Sequence, residues 1–286
     1  CRSIIYNFKF IEVFDMFLAI LLTALIILYL FAISPRFTRQ RDMRCYRHTM
    51  FAHRGYHCME KGIPENSMAA FRAALNKGYG IEIDLHLTRD GQLVVFHDDT
   101  LERICGRPDI IENMTYEELK DCRLCGTAET IPAFDEVLSL VEGRVPLLIE
   151  LKIPDSSVHI CRETLRQLKH YQGPCLIQSF NTMGIRWFRL NAPHILRGQL
   201  SSNLTRDPLK EAWLFRFMVK HLLSNFLGRP DFISYNLNDL PIVNVWILKH
   251  IFHVPVAVWT LNTPDMLKKG SQYFDMQIFE KRHENY

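Results

Sequence analysis

Residues that titrate, bind metal ions or contact phosphate occur in three short groups of this sequence. "FAHRG" contains His53 and Arg54, "IEIDL" contains Glu82 and Asp84, and "VVFHDD" contains His97. Carboxylate oxygens are the ligands that Mg²⁺ and Ca²⁺ prefer. A pair of histidines can supply the base and the acid that cleavage of a phosphodiester requires. The three groups therefore predict metal-assisted hydrolysis of a phosphodiester.

A third acid extends the predicted metal site. "LLIELK" contains Glu150 and Lys152, and residues two apart share one face of a strand. Glu82 and Asp84 share a face for the same reason. A salt bridge to an inward Arg or Lys would explain a single such carboxylate, but three that converge at the ends of their strands favour a divalent cation. Arg54 and Lys152 would supply positive charge to the phosphoryl oxygens.

Eight β-rich runs, most of them separated by helical patterns, must position these groups. Such alternation predicts an α/β fold with parallel strands joined by crossover helices. An open doubly wound sheet and a closed (β/α)₈ TIM barrel both satisfy it. The strand count, the length of about 235 residues and the lack of a glycine-rich phosphate loop favour the barrel. A further strand at 92–99 follows the Asp90–Gly91 turn. The eight runs are 49–55, 80–88, 146–152, 175–180, 195–200, 231–236, 255–260 and 276–280.

The N-terminal part predicts a single transmembrane helix before the barrel. Residues 17–33 are apolar throughout and nearly span a hydrocarbon core of about 30 Å, and three more residues extend the predicted anchor to 14–33. A cleaved signal peptide is the alternative, but its positive charge precedes the apolar run, whereas five arginines follow this one. They make 34–48 a basic linker. The positive-inside rule then predicts a single-pass cell-membrane protein whose barrel domain, 49–286, lies on the cytoplasmic side.

Charge and cysteine content exclude some classes of partner and site. The 286 residues are 48% hydrophobic and 23% charged, as in a globular protein with a full core. The formal net charge is +3, but residues 1–49 alone carry +4, so a nucleic-acid partner has no electrostatic support from the barrel. Cys122 and Cys125 are the only close pair of the eight cysteines, which favours reduced thiols over a zinc site. The oligomeric state is not predicted.

Longer stretches around these residues resemble one enzyme family. "AHRG", "PENSMAAFRAAL", "IEIDLHLTRDGQLVVFHDDTLERICG", "IPAFDEVLSLV", "LLIELK" and "VAVWTLNTPDML" resemble the glycerophosphodiester phosphodiesterase family in their order, from about residue 50 to 281. The resemblance implies a (β/α)₈ barrel that uses one divalent metal ion, Mg²⁺ or Ca²⁺. It implies hydrolysis of glycerophosphodiesters to glycerol 3-phosphate and an alcohol. Attack by a glycerol hydroxyl to form a cyclic phosphate is the implied route, and direct attack by water stays open.

The same resemblance implies a role for each site residue. Its implied site comprises two general acid/base histidines, three metal ligands and two phosphate contacts: His53 and His97; Glu82, Asp84 and Glu150; Arg54 and Lys152. Glu65 and Asn66, in "PEN", would line the same end of the barrel and contact substrate. Trp259 would pack on the glycerol or the alcohol, and a core aromatic is the alternative for it.

Related substrates and a different class of function stay open at this point. One alternative enzyme is a lysophospholipase D-type or polyglycerol-phosphate phosphodiesterase at the membrane. The apolar and basic stretch at 207–230 is either an outer helix of the barrel or a segment that rests on the bilayer and delivers lipid. An inactive membrane-tethered binding barrel is disfavoured because both histidines and all three acids are present.

Overall fold

The computed structural model describes residues 2–38, 42–154, 157–206 and 212–280, with residues 2–13 described by their backbone alone. The predicted linker, the predicted barrel domain and the apolar stretch each include residues outside these ranges: 39–41, 155–156, 207–211 and 281–286.

Eight parallel strands close into a barrel, which confirms the predicted TIM-barrel fold. β1 pairs with both β2 and β9, and this pairing excludes the open sheet. β3 lies outside the barrel and pairs antiparallel with β2, as expected for the predicted hairpin. The strands are β1 Met50–Ala52, β2 Gly80–Leu87, β3 Leu93–Val95, β4 Leu147–Leu151, β5 Cys175–Ser179, β6 Leu196–Ser201, β7 Phe232–Asn236, β8 Val256–Leu261 and β9 Met276–Phe279.

Helices cover the barrel, and several begin at a side-chain cap near the carboxyl ends of the strands. Ser67 accepts a hydrogen bond from Ala70 N at the start of α2, and Thr263 caps α11 in the same way. The helices are α1 Arg2–Ile33, α2 Met68–Lys77, α3 Glu102–Cys105, α4 Tyr116–Leu119, α5 Phe134–Val141, α6 His159–Leu168, α7 Thr182–Asn191, α8 Trp213–Lys220, α9 Asn225–Gly228, α10 Val243–His250 and α11 Pro264–Tyr273.

Apolar side chains fill the amino-terminal end of the barrel, called the floor below. The inward residues there include Phe51, Leu148 and Phe232, and all three are fully buried. A short 3₁₀ helix at 42–46 packs against them from below through Met43. Gly198 leaves room for the Phe232 ring, because a Cβ at that position would lie 2.2 Å from it. The floor is therefore a packed core and not a channel.

The segment between β2 and α5 forms a separate lobe on the outside of the barrel, residues 93–133. Its own apolar cluster includes Phe96, Leu101, Ile111 and Leu124, all buried. Successive residues of β3 point to opposite sides, so this strand packs on both the barrel core and the lobe core. The lobe carries His97 at its junction with the barrel.

α1 contains one segment, Phe14–Ile33, that is long and apolar enough to cross a membrane, with a mean hydropathy of 2.9 and 6% of it buried. This segment coincides with the expected anchor at 14–33. A soluble core helix would bury its apolar side chains, whereas these are mostly exposed. Its role as an anchor stays a prediction.

Candidate active site

The three predicted metal acids converge at the carboxyl end of the barrel, called the mouth below. Glu82 and Asp84 point inward from β2, and the register of β2 with β4 places Asp84 directly beside Glu150. One carboxylate oxygen from each residue lies within 4.8 Å of the others. The three side chains are almost fully buried. This arrangement is a compact set of hard oxygen ligands that can hold a divalent cation.

The electrostatics of the three acids show that the cations nearby do not fully compensate their negative charge. Burial, with the neighbouring carboxylates of Asp84 and Glu150, raises the pKa of Glu82 well above its usual value. Burial acts in the same direction on Asp84, but the charges of Lys152, His97 and Arg54 outweigh it and hold the pKa of Asp84 below its usual value. A bound dication would relieve the repulsion that disfavours ionised Glu82, so the residues present fit a metal ion.

Lys152 contacts two of these acids directly. Its Nζ lies 2.5 Å from Glu150 Oε1 and 2.9 Å from Asp84 Oδ1. Burial lowers the pKa of the lysine, but the two carboxylates outweigh it and raise that pKa above its usual value. Lys152 is therefore a permanent cation at the base of the mouth.

The turn after β1 brings Arg54 to the same acids. Its backbone N donates to Glu82 Oε2 at 3.0 Å, and its guanidinium donates to Glu65 Oε1 at 2.7 Å. Arg54 adopts a left-handed conformation with φ +54°, followed by Gly55 with φ +81°. A Cβ on Gly55 would lie 2.8 Å from Ala70, so only glycine allows this close turn.

Glu65 and Asn66 lie at the rim, the edge of the mouth. There they contact residues of the metal site and do not line the cavity. Asn66 Nδ2 donates to Asp84 Oδ2 at 3.0 Å from a fully buried position. Its φ of +52° is one that asparagine tolerates better than most residues. Glu65 accepts hydrogen bonds from Arg54 and from Arg103.

The two predicted histidines both line a cavity of about 140 Å³. Burial, with the adjacent charge of Arg54, lowers the pKa of His53 to about 3, so its ring is neutral at pH 7. The ring of His97 is held from behind, because its Nδ1 lies 2.6 Å from Asp98 Oδ1. One histidine therefore directly follows the barrel strand β1, and the other belongs to the lobe.

Arg103 was not predicted from the sequence, although it ties the rim together. Its guanidinium donates to Asp98 Oδ2 at 2.6 Å and to Glu65 Oε1 at 2.6 Å. The residue lies on α3, a single turn, so neither strand alternation nor strand ends could have indicated it. Its two partners, Asp98 and Glu65, are acids close to the predicted site, and they could have indicated that a basic residue lies between them.

Trp259 lies on the cavity wall, and so do Phe180 and Gln178, which the sequence did not indicate. The rings of Trp259 and Phe180 meet edge to face with centroids 6.0 Å apart. Trp259 borders both this cavity and the apolar cluster of the floor, and its contact with substrate stays a prediction.

A second cavity of about 510 Å³ adjoins the first and shares Glu150, Lys152 and Phe180 with it. Leu204 and Phe215 form part of its wall. Phe215 belongs to α8, so the described part of the apolar stretch, 212–230, provides a helix whose first turn borders the mouth.

Comparison with known proteins decides which enzymes this site resembles. The family described as "Glycerophosphoryl diester phosphodiesterase family" matches residues 53–278. The chain belongs to this family. As a member of the glycerophosphoryl diester phosphodiesterase family, it is a phosphoric diester hydrolase with the TIM-barrel fold of that family.

Relatives and solved structures agree with this family. The chain is 34% identical over 171 residues to a glycerophosphodiester phosphodiesterase of Bacillus altitudinis, across 56% of this chain and 69% of that one. It is 34% identical over 258 residues to YhdW of Bacillus subtilis, across 82% of this chain and 99% of that one. A solved Oleispira antarctica phosphodiesterase, in complex with the product sn-glycerol-3-phosphate, matches with a TM-score of 0.67 and 25% identity, across 82% of this chain and 94% of that one.

Proposed function

We propose that this family member is a membrane-anchored, metal-dependent hydrolase that converts glycerophosphodiesters to glycerol 3-phosphate and an alcohol. The observation that carries the proposal is the buried trio of Glu82, Asp84 and Glu150 beside two cations and two histidines in one cavity. Three carboxylates are costly to bury unless a cation accompanies them. The parts together are those that cleavage of a phosphodiester requires.

The three acids would hold one Mg²⁺ or Ca²⁺ ion, which supplies Lewis acidity at a phosphoryl oxygen when bound. Arg54 and Lys152 would bind the remaining phosphoryl oxygens, since both lie on the cavity wall. Both cations also pair with the acids, so they keep the carboxylates in place while the phosphate binds.

We assign proton acceptance to His53 and proton donation to His97. The neutral ring of His53 can take a proton from the attacking hydroxyl, whether of the glycerol or of water. Asp98 accepts the Nδ1–H of His97, which leaves Nε2 as the atom that can deliver a proton to the departing alcohol oxygen. Trp259 would pack on the glycerol or the alcohol, and Glu65 and Asn66 would position Arg54 and Asp84.

Release of glycerol 3-phosphate from glycerophosphocholine and glycerophosphoethanolamine tests this proposal. We expect release by the full chain to stop with EDTA and to return with Mg²⁺ or Ca²⁺. His53→Ala and His97→Ala should abolish release while circular dichroism stays unchanged, and the exposed His159→Ala should behave as wild type. No release under any metal would overturn the proposal and favour the binding barrel.

The second cavity favours a lysophospholipid as an alternative substrate. Its wall includes Leu204 and Phe215, which could contact an acyl chain next to the shared Lys152. Lysophosphatidylcholine should then be hydrolysed at least as well as glycerophosphocholine, and Phe215→Ser should lower kcat/KM for the lysolipid alone. Equal loss for both substrates would rule out an acyl-chain role for Phe215.

We further propose that residues 14–33 anchor the protein in the cell membrane, that 34–48 link the anchor to the barrel, and that 49–286 form the catalytic domain. The arginines after the anchor, among them Arg44 and Arg47, support a cytoplasmic barrel. Protease should then digest the barrel in inverted membrane vesicles and leave it intact in right-side-out vesicles. The opposite pattern would reverse the assigned orientation.

A further inference from the structure

α1 joins the barrel at the floor and not at the mouth. Its last residue, Ile33, is fully buried, and Asn225 Nδ2 donates to Ile33 O at 3.2 Å. The rings of Phe31 and Phe226 lie 5.7 Å apart. Both partners belong to α9, which directly precedes β7 and therefore lies at the amino-terminal end of the strands.

Two arginines stand beside this junction, and we call them the arginine pair: Arg189 and Arg229. Arg229 lies over the Phe31 ring at 4.8 Å and donates to Ser34 O at 3.4 Å. Arg189 donates to Phe226 O at 3.0 Å and to Leu227 O at 2.9 Å. These bonds attach both side chains to the floor around the end of α1.

The arginine pair has no anionic partner within the part of the chain that the structure describes. Its contacts are backbone carbonyls and one aromatic ring, and no carboxylate of the described residues lies within ion-pair distance of either guanidinium. Burial and the like charge of Arg189 together lower the pKa of Arg229 from its usual value. Two adjacent cations with only neutral partners attract an external anion.

Apolar side chains surround the same junction and stay exposed. Phe37 packs edge to face on Phe252 with centroids 5.6 Å apart and is 55% exposed. Leu190, next to Arg189 on α7, is 58% exposed, and Ile251 after α10 is 54% exposed. Aromatic and aliphatic groups beside arginines are typical of the level where a bilayer meets water.

Capping of α9 alone is the simplest competing explanation for Arg189, since its two bonds end on carbonyls of that helix. It does not explain why a second arginine with neutral partners stands beside it, nor the exposed apolar residues around them. A soluble anion would explain the cations but not the apolar residues. A lipid surface accounts for both.

We propose that the arginine pair binds the headgroup phosphate of an anionic phospholipid in the bilayer that α1 spans, with Phe37, Leu190 and Ile251 at the interface. This inference rests on the membrane span proposed for α1. It goes beyond an anchor, because it makes the barrel floor itself a lipid-binding surface.

The test measures binding of fluorescently labelled phosphatidylglycerol to the full chain in neutral dodecyl maltoside micelles. Three proteins are compared: wild type, Arg189→Gln/Arg229→Gln, and Arg72→Gln/Arg123→Gln, which removes two exposed arginines away from the floor and matches the change in charge. We expect the first double variant to bind roughly 25-fold more weakly, about 5-fold per arginine. The control variant should bind as wild type does.

Competition identifies the ligand. Unlabelled phosphatidylglycerol should displace the probe, whereas phosphatidylcholine and inorganic phosphate at equal concentration should not. Equal displacement by phosphatidylcholine or by phosphate would overturn the inference, as would equal affinity in all three proteins. Because Arg189 also bonds to α9, the double variant could disturb that helix. The single variant Arg229→Gln keeps these bonds, and its affinity for phosphatidylglycerol should fall about 5-fold.

Two controls separate this inference from the proposals on which it rests. Full chain reconstituted into vesicles of phosphatidylcholine and phosphatidylglycerol should resist extraction by alkaline carbonate, and extraction of the wild type would overturn the span and the inference with it. Release of glycerol 3-phosphate should be equal in all variants. Failure of catalysis with intact lipid binding would overturn only the proposed enzyme function.

Discussion

The mouth and the floor of this barrel are built by the same strands but differ in chemistry. β4 points Leu148 inward at the floor and Glu150 inward at the mouth, two residues later, and β1 leads from Phe51 to His53. Both ends are buried, so burial alone does not distinguish them. Alternation decides which side chains point inward, and position along the strand decides whether they serve packing or chemistry. Stability and activity should therefore respond separately to changes at the two ends.

The strongest way to test this comparison is Glu82→Gln at the mouth. We expect kcat/KM to fall by about 10³-fold or more, because the metal loses a ligand and its charge stabilisation. The melting temperature of the metal-free protein should not fall, since the neutral amide removes the repulsion that raises the pKa of Glu82. Glycerol 3-phosphate release, metal titration calorimetry and thermal melting measure these effects. Unchanged metal affinity would remove Glu82 from the ligand set.

Phe232→Ala makes the reciprocal change at the floor. Removal of this fully buried ring should lower the free energy of unfolding by about 3–5 kcal/mol, since the cavity can collapse only partly. The folded fraction should keep the wild-type kcat, because the mouth is untouched. Urea unfolding and active-site-normalised kinetics provide the measurements. Val243→Ala, at an exposed position, is the control and should change stability by less than about 0.5 kcal/mol.

Arg103→Gln sharpens the comparison because it removes ion pairs at the rim and leaves the three metal acids unchanged. We expect kcat to fall roughly 10- to 100-fold with KM little changed, because Asp98 and through it His97 lose their orientation. Arg107→Gln removes a similar ion pair elsewhere in the lobe and should leave kcat unchanged. An equal loss in both variants would show that the lobe is merely destabilised.

The smallest expected effect is the loss of folding stability at low pH that results from protonation of Asp98 at the rim. Burial tends to raise the pKa of Asp98, but its bonds to His97 and Arg103 outweigh this and lower that pKa. The ionised form therefore stabilises the fold above pH ~4, and this contribution is lost as pH falls below that value. It should stay below about 1 kcal/mol, because Arg103 is 48% exposed. Urea unfolding at pH 6 and at the lowest reversible pH should show a weaker acid dependence for Asp98→Asn than for wild type.

Much of the mouth could be predicted because it follows from strand periodicity. Glu82, Asp84 and Glu150 lie at inward positions of adjacent strands, and parallel register brings such positions together. The barrel itself followed from the count of alternating strand and helix patterns. The metal identity and the residue roles stay predictions, since periodicity places a side chain without showing what it binds.

The residues that were missed depend on contacts between distant segments. Arg103 reaches Glu65 across 38 positions of the chain, on a one-turn helix without a helical period to read. The arginine pair likewise joins α7 and the segment after α9 beside α1. Such contacts are set by how elements pack, which a local pattern does not encode.

The division of the two histidines between barrel and lobe has a kinetic consequence. His53 belongs to a closed barrel, whereas His97 sits on a unit with its own small apolar core. Units of this kind open at lower free energy than the global transition. On warming, the lobe should therefore unfold before the barrel and displace His97, Asp98 and Arg103 from the site. Activity would then fall while the three metal acids are still in place. The temperature at which activity is lost would then depend on the packing of the lobe against the barrel and not on the melting of the barrel.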